Sequence, residues 1–397
     1  MVREALTRLD DWLKEVRRDF HRHPELRFQE QRTAARVAEY LKSFGMEVQD
    51  GVGGTGVVGL CRGDASGETV ALRADMDALP IQEETGVSYA SCNQGVMHAC
   101  GHDAHMTMVL GAARVIAESS DLRGRIRGQV KFIFQPGEEG GHGAREMIAA
   151  GVLENPRVDL VFAAHMAPLL PIGTVGIYLR EACASADAFE IRLIGKGAHA
   201  AYPHLSRDPI IVGAYLITAL QSIASRNVDP TKGLVMSVTR VQGGTATNII
   251  PDEMVIAGTI RALHREVRDL ASTRLNDLVR GTCEAHGIRG TVTLSEGYPP
   301  MVNHEAVSRF VAEAARELVG EDRVLFRQPK FGSEDFSYFL ERCPGAGFDL
   351  GCANEALGVS HMLHTSRFNV DERVLPLGVE IYLRLIERFF QEPPGIK

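Results

Sequence analysis

Short runs of consecutive apolar residues, each ending on a residue with chemical capability, constrain this chain more than any other feature. Val70-Ala71-Leu72 leads into Arg73-Ala74-Asp75-Met76-Asp77, Val130 to Phe134 into Gln135-Pro136-Gly137-Glu138-Glu139, and Leu160 to Ala164 into His165. A strand buried on both faces reads as such a run, whereas a strand with one wet face alternates. Helical patterns near 103–118 and 143–150 separate the runs, which predicts βαβ units around a buried, largely parallel sheet. Leu6, Leu9, Trp12, Leu13, Val16 and Phe20 predict one N-terminal helix and Ala35, Val37, Ala38, Leu41 and Phe44 a second. In an open α/β sheet, ligands bind outside the carboxyl ends of the strands. Any one of these terminal carboxylates could merely cap the next helix, but three strands delivering carboxylates and an imidazole to one edge mark a candidate site.

From about Ala182 the texture changes. Phe189 to Leu193, Met236 to Val241 and Met254 to Ile260 alternate with period two, around a long helical pattern at about 208–226. That predicts an α+β insert whose sheet has one solvated face. After Gly297-Tyr298-Pro299-Pro300 the α/β texture returns, with helices near 304–319 and 373–390. The expected fold class is therefore α/β, a mostly parallel-sheet catalytic domain (1–181 and 298–397) interrupted by a smaller α+β domain (182–297). A length of 397 residues agrees, since single cores stop growing at about 250–300 residues.

Lys and Arg total 43 against 51 Asp and Glu, a net charge of -8. With no basic stripe, nucleic acid is not an expected partner. The longest apolar stretch, Leu160 to Ile172, is interrupted by His165, Pro168 and Pro171 and falls short of the roughly 20 residues a bilayer requires, so no membrane is expected either. The N-terminal segment is charged and amphipathic, without the apolar region of a secretion signal. Seven cysteines, an odd number, then read as reduced thiols in a cytoplasmic protein.

The densest chemical cluster is His98-Ala99-Cys100-Gly101-His102-Asp103-Ala104-His105. Cys, His and carboxylates are ligands that borderline divalent metals accept. On a regular helix Cys100 and His102 would face different ways, but Gly101 permits a bend before the helix starts, so both can aim at one point. His98 and His105 read more simply as hydrogen-bonded helix residues. Gly51-Val52-Gly53-Gly54-Thr55-Gly56 fits the G-x-G-x-x-G pattern, yet a dinucleotide fingerprint must open a helix. Val57-Val58-Gly59-Leu60 has strand character instead.

The stretches RADMDALPIQEETG (73–86), MHACGHD (97–103), FQPGEEGGHGAR (134–145), GKGAHAAYPH (195–204), GGTATNIIPDE (243–253), GSEDF (332–336) and LHTSRF (363–368) span nearly the whole chain. In that order they resemble the metal-dependent amidohydrolases of peptidase family M20, subfamily D, relatives of aminoacylase, hippurate hydrolase and indole-acetyl-amino-acid hydrolase. The resemblance implies two divalent ions per subunit (Zn, Mn, Co or Ni), with Cys100 as a bridging thiolate and His102, Glu139, His165 and His364 completing the ligands. It implies Glu138 as general base, Asp77 as an outer carboxylate that orients a ligand, His199 as the residue reaching the scissile carbonyl of a neighbouring subunit, and Asn248 and Arg261 as contacts to the substrate carboxylate. It also implies that the inserted domain is a lid through which the chain forms a homodimer or higher oligomer.

Against the family pattern, Asp75 stands where distant members carry a metal-binding His, Gly137 replaces Ala, Ala198 replaces Gly and His142 replaces Gly. Ser360-His361-Met362 replaces a Thr-Pro turn, which makes His361 a second candidate for the last ligand beside His364. The activity implied is hydrolysis of the amide bond of N-acyl amino acids, small peptides or amino-acid conjugates. The alternatives are an N-deacetylase of a diaminopimelate-like or amino-sugar-like substrate and, in another class, a non-catalytic binding protein that keeps the fold.

Overall fold

The computed structural model describes residues 2–63 and 67–395. The chain divides into two compact units, Met1–Arg180, Val302–Gln328 and Asp335–Lys397 forming the larger and Glu181–Met301 with Pro329–Glu334 the smaller. Residues 181, 298–301 and 329–334 thus count with the smaller unit, whereas the sequence reading kept 1–181 and 298–397 in the larger.

The sheet of the larger unit contains β1 (Glu47–Val52), β2 (Gly56–Arg62), β3 (Thr69–Asp75), β4 (Gln129–Gln135), β5 (Leu160–Pro171), β6 (Val175–Ile177), β7 (Val324–Phe326) and β8 (Gly345–Ala353), in the spatial order β1-β2-β4-β3-β5-β8-β6-β7. The central strands β4, β3, β5 and β8 are parallel. The antiparallel pairs lie outside them, at β1 with β2, β2 with β4 and β8 with β6. Every residue of β3 is buried, as its unbroken apolar run requires. The helix His102–Glu118 is buried all round through its first three turns, Asp103 and His105 included, so it belongs to the core and is not a surface helix. Helices Val2–Arg22 and Val374–Gln391 pack against it, and Leu13, Phe20, Leu110, Phe132, Phe162 and Tyr382 share one apolar cluster.

Two local expectations change. β5 continues to Pro171 because β8 pairs with it that far, so His165 lies within a strand and not after one. The stretch Gly51 to Gly56 joins antiparallel β1 and β2 as a hairpin, with Gly51, Gly53 and Gly54 all at positive φ. No helix opens there to hold a pyrophosphate.

The smaller unit holds an antiparallel four-stranded sheet in the order Leu234–Gly243, Glu253–Ala262, Asp187–Ile194, Arg289–Ser295. Phe189, Ile191, Leu193, Met254 and Ile256 share its core with Leu216 and Leu220 of helix Pro209–Ser222 and with Leu275 and Val279 of helix Arg265–Ala285. The second helix has no counterpart in the sequence reading. Its buried stripe, Val267, Ala271, Leu275, Val279 and Cys283, recurs every four residues but is narrow and sits among charges. By length and composition alone, Pro209–Asn227 is apolar enough to cross a membrane, which the shorter 160–172 stretch is not. One side of it, at Val212, Leu216, Leu220 and Ile223, is buried in this core, while Ile210, Ile211 and Tyr215 are exposed.

Candidate metal centre

Gly101 caps the helix that starts at His102 and has φ +89, a left-handed conformation that glycine adopts without a Cβ penalty. That bend turns the buried Cys100 toward His165 Nε2, 3.5 Å from its sulfur. Ligand atoms of Cys100, His102 and His165 lie within 4.8 Å of one another, as do those of Cys100, Glu139 and His364. The two groups share the thiol. His361 belongs to no such group among the described residues. His364 reaches the cluster with a positive φ of 61, its N–H bonded to the Ala99 carbonyl at 2.8 Å.

The end of β3 positions the loop that follows β4. The Asp77 carboxylate accepts the backbone N–H of Glu138 on one oxygen and that of Glu139 on the other, each at 2.9 Å. Its carbonyl accepts His102 Nδ1–H at 2.8 Å. With Nδ1 occupied, His102 Nε2 points into the cluster, buried and without a hydrogen-bond partner. His105, one turn on, differs: Nδ1 bonds Asp75 at 2.7 Å and Nε2 accepts the N–H of Met166 at 2.9 Å. Both nitrogens are used, so His105 is the hydrogen-bonded helix residue its spacing suggested. His98 is not, because it lies ahead of the helix with neither nitrogen bonded. Burial there pushes its imidazole down to about 4.

These residues fit divalent cations. Burial and then the charge of Glu139 push the Cys100 thiol up, so its thiolate needs a cation close by. Hydrogen bonds to Cys100 and Glu139 raise His364 to about 10. Burial opposes charge on His102, but Asp75 and Cys100 outweigh it and lift the imidazole well above its usual range. The pocket draws positive charge, and its mixed sulfur, nitrogen and oxygen donors are those of zinc-like ions.

Sequence reasoning missed what holds the cluster from behind. Asp335, within the GSEDF stretch and wholly buried, accepts from Gln135 Nε2 at 2.7 Å, Arg73 Nη2 at 3.0 Å and Ala144 N–H at 3.0 Å. Its own N–H faces Glu138 Oε1 at 3.4 Å. Arg73 also pairs with Asp75 at 2.7 Å. Its guanidinium, with His102 and His105, holds the Asp75 carboxyl well below the carboxylate range although burial works the other way.

In the smaller unit, exposed His199 sits on a strand, Ala198–His199, paired with Ile249–Ile250. The neighbouring Asn248 carbonyl accepts the N–H of Ala200 at 3.0 Å. Arg261 is elsewhere. Asp252, which bonds Gly197 N–H at 2.7 Å, is nine residues before it at the start of strand Glu253–Ala262, about 30 Å away at strand rise. The unit brings His199 and Asn248 together but not Arg261.

The model of peptidase family M20/M25/M40 matches residues 71–388. The chain belongs to that family. This M20 chain is 40% identical to thermostable carboxypeptidase 1 of Saccharolobus solfataricus over 98% of each. It is 44% identical to the N-acyl-L-amino acid amidohydrolase of Geobacillus stearothermophilus, over 77% of this chain and 82% of that one. A solved Bacillus subtilis structure described as a dinuclear metal-binding peptidase of the M20 family superposes with a TM-score of 0.85 at 32% identity, covering 97% of this chain and 99% of that one.

Proposed function

We propose that this M20 hydrolase cleaves the amide bond of N-acyl amino acids or small peptides that end in a free carboxylate. The observation that carries the reading is the pair of ligand groups sharing Cys100, next to a Glu138–Glu139 pair held by one aspartate. Two divalent ions would be held by Cys100, His102, His165, Glu139 and His364. The M20 relatives, named as a carboxypeptidase and an N-acyl amino acid amidohydrolase, support the substrate class.

Bound metal supplies charge that can lower the pKa of a water from 15.7 to about 7. Asp77 holds the backbone of both glutamates, and the family resemblance assigns Glu139 to the metal and Glu138 to the water. Glu138, with only 6% of its surface exposed, accepts the proton of the attacking water and returns it to the departing amine. His199 donates to the developing oxyanion: its Nδ1 accepts the N–H of Ala201 at 3.1 Å, which places the ring proton on the outward Nε2. Arg261 and Asn248 receive the substrate carboxylate.

The distance between His199 and Arg261 along the smaller unit supports one further element. A small substrate cannot touch both in the same unit, so His199 and Asn248 serve the site of a second copy. Exposed Ile210, Ile211 and Tyr215, with Val235 and Val241 on the edge strand, offer that copy an apolar face. Replacing Glu138→Gln tests the mechanism. Turnover of hippurate and N-acetyl amino acids is expected to fall at least 10²-fold with bound metal unchanged, and near wild-type turnover would remove Glu138 as the base. N-acetyl-diaminopimelate in the same panel separates the deacetylase alternative.

A further inference from the structure

The segment between the first two helices packs onto the loop that carries the glutamate pair. Leu26 forms a lone parallel bridge to Ala78. The N–H of Gln29 bonds the Leu26 carbonyl at 2.8 Å, closing a turn with Phe28 in its third position. There Phe28 has φ +58, a place where turns ordinarily use glycine and where a bulky aromatic is an outlier. Such conformations persist when the surroundings impose them, and they gather at functional sites.

The surroundings here are glycines. A Cβ on Gly137 would come within 3.0 Å of the Phe28 ring, on Gly141 within 2.9 Å and on Gly54 within 3.1 Å. The ring therefore lies against both ends of the Glu138–Glu139 loop, so close that a side chain on these glycines would push it aside. Its neighbours grip the same loop. Arg27 Nη1 donates to the Glu139 carbonyl at 2.7 Å. The Glu30 carboxylate accepts the N–H of Gly137 at 2.9 Å and is itself fixed by Thr55 Oγ1 at 2.6 Å.

We propose that Phe28 is a positioning residue for the base: its ring clamps Gly137 and Gly141 so that Glu138 keeps one orientation above Asp77. The inference rests on the reading of Glu138 as general base. Glycines on both sides of a catalytic carboxylate leave its backbone free to rotate, and a misplacement of about 1 Å can cost about 10² in rate. Phe28 thus supplies from outside the loop the rigidity that the loop's own residues lack.

Phe28→Gly tests this cleanly, because glycine relieves the left-handed backbone while removing the ring, and the residue is 38% exposed. On the metal-loaded full chain, kcat for an N-acyl amino acid is expected to fall about 10- to 100-fold. KM should stay within about threefold, with bound metal and thermal midpoint close to wild type. Phe28→Leu, which keeps apolar bulk over the glycines, is expected to recover most of the loss. A glycine variant with wild-type kcat, a kcat loss that tracks lost metal, or a leucine variant no better than glycine each overturns the proposal. Absence of hydrolysis by the wild-type chain would instead overturn the reading of the site.

Discussion

The strand-end cluster of the larger unit and the ribbon of the smaller unit both carry chemistry-bearing residues, under opposite conditions. Cys100, His102, Glu138 and Asp77 are buried, so every polar atom must find a partner or cost free energy. Asp77 occupies three backbone or imidazole groups, and what is left over, His102 Nε2, points to a ligand. His199 and Asn248 are exposed. Water satisfies them, and nothing in their own unit shows what they act on. Burial makes a site self-describing; exposure leaves its meaning to whatever docks against it.

The sharpest way to break this contrast is Cys100→Ala. Because both ligand groups share the thiol, bound metal and hydrolysis are expected to disappear together, as metal analysis and turnover on one preparation would show. Full metal content in that variant would refute a bridging role. Next in size, His199→Ala is expected to lower kcat about 10²–10³-fold, the usual cost of one oxyanion donor, while metal content stays intact. If His199 serves the site of a second copy, mixing Cys100→Ala and His199→Ala chains should restore activity, since one site of each mixed pair would then have both parts. No recovery on mixing would place His199 in its own copy's site.

The smallest effect concerns His98, buried beside the cluster without a partner. Its folded pKa of about 4 lies below the unfolded value of about 6.5. Below pH 6.5 the unfolded chain therefore binds the proton first, and stability is lost as pH falls from about 6.5 to 4. The loss amounts to at most about 3 kcal/mol. His98→Gln is expected to flatten the dependence of the denaturation midpoint on pH across that window, and an unchanged slope would assign the acid sensitivity to other groups.

Several parts of this picture are legible in the residues. The apolar runs at 70–72 and 130–134 announce buried parallel strands because a strand covered on both faces has no polar side to show. Gly101 announces a bend because only glycine takes φ +89 without strain. Helix Arg265–Ala285 escapes notice since its stripe is one residue per turn among charges. His98 and His105 look alike in sequence, yet one has both nitrogens bonded and the other neither, a difference set by what packs against them.

Local sequence determined the βαβ texture, the rejection of Gly51 to Gly56 as a nucleotide loop, and which residue types gather near strand ends. These follow from periodicity and backbone sterics, which act over a few residues. The family register around Leu363-His364 already favoured His364 over His361, and tertiary structure brought His364 to Cys100 and Glu139. It also showed that Asp335, 200 residues after Gln135, braces the Glu138–Glu139 loop, and that Phe28 lies on its glycines. Those are contacts between segments far apart in the chain, and no local preference encodes them; they exist because burial forces distant polar and apolar groups to satisfy one another.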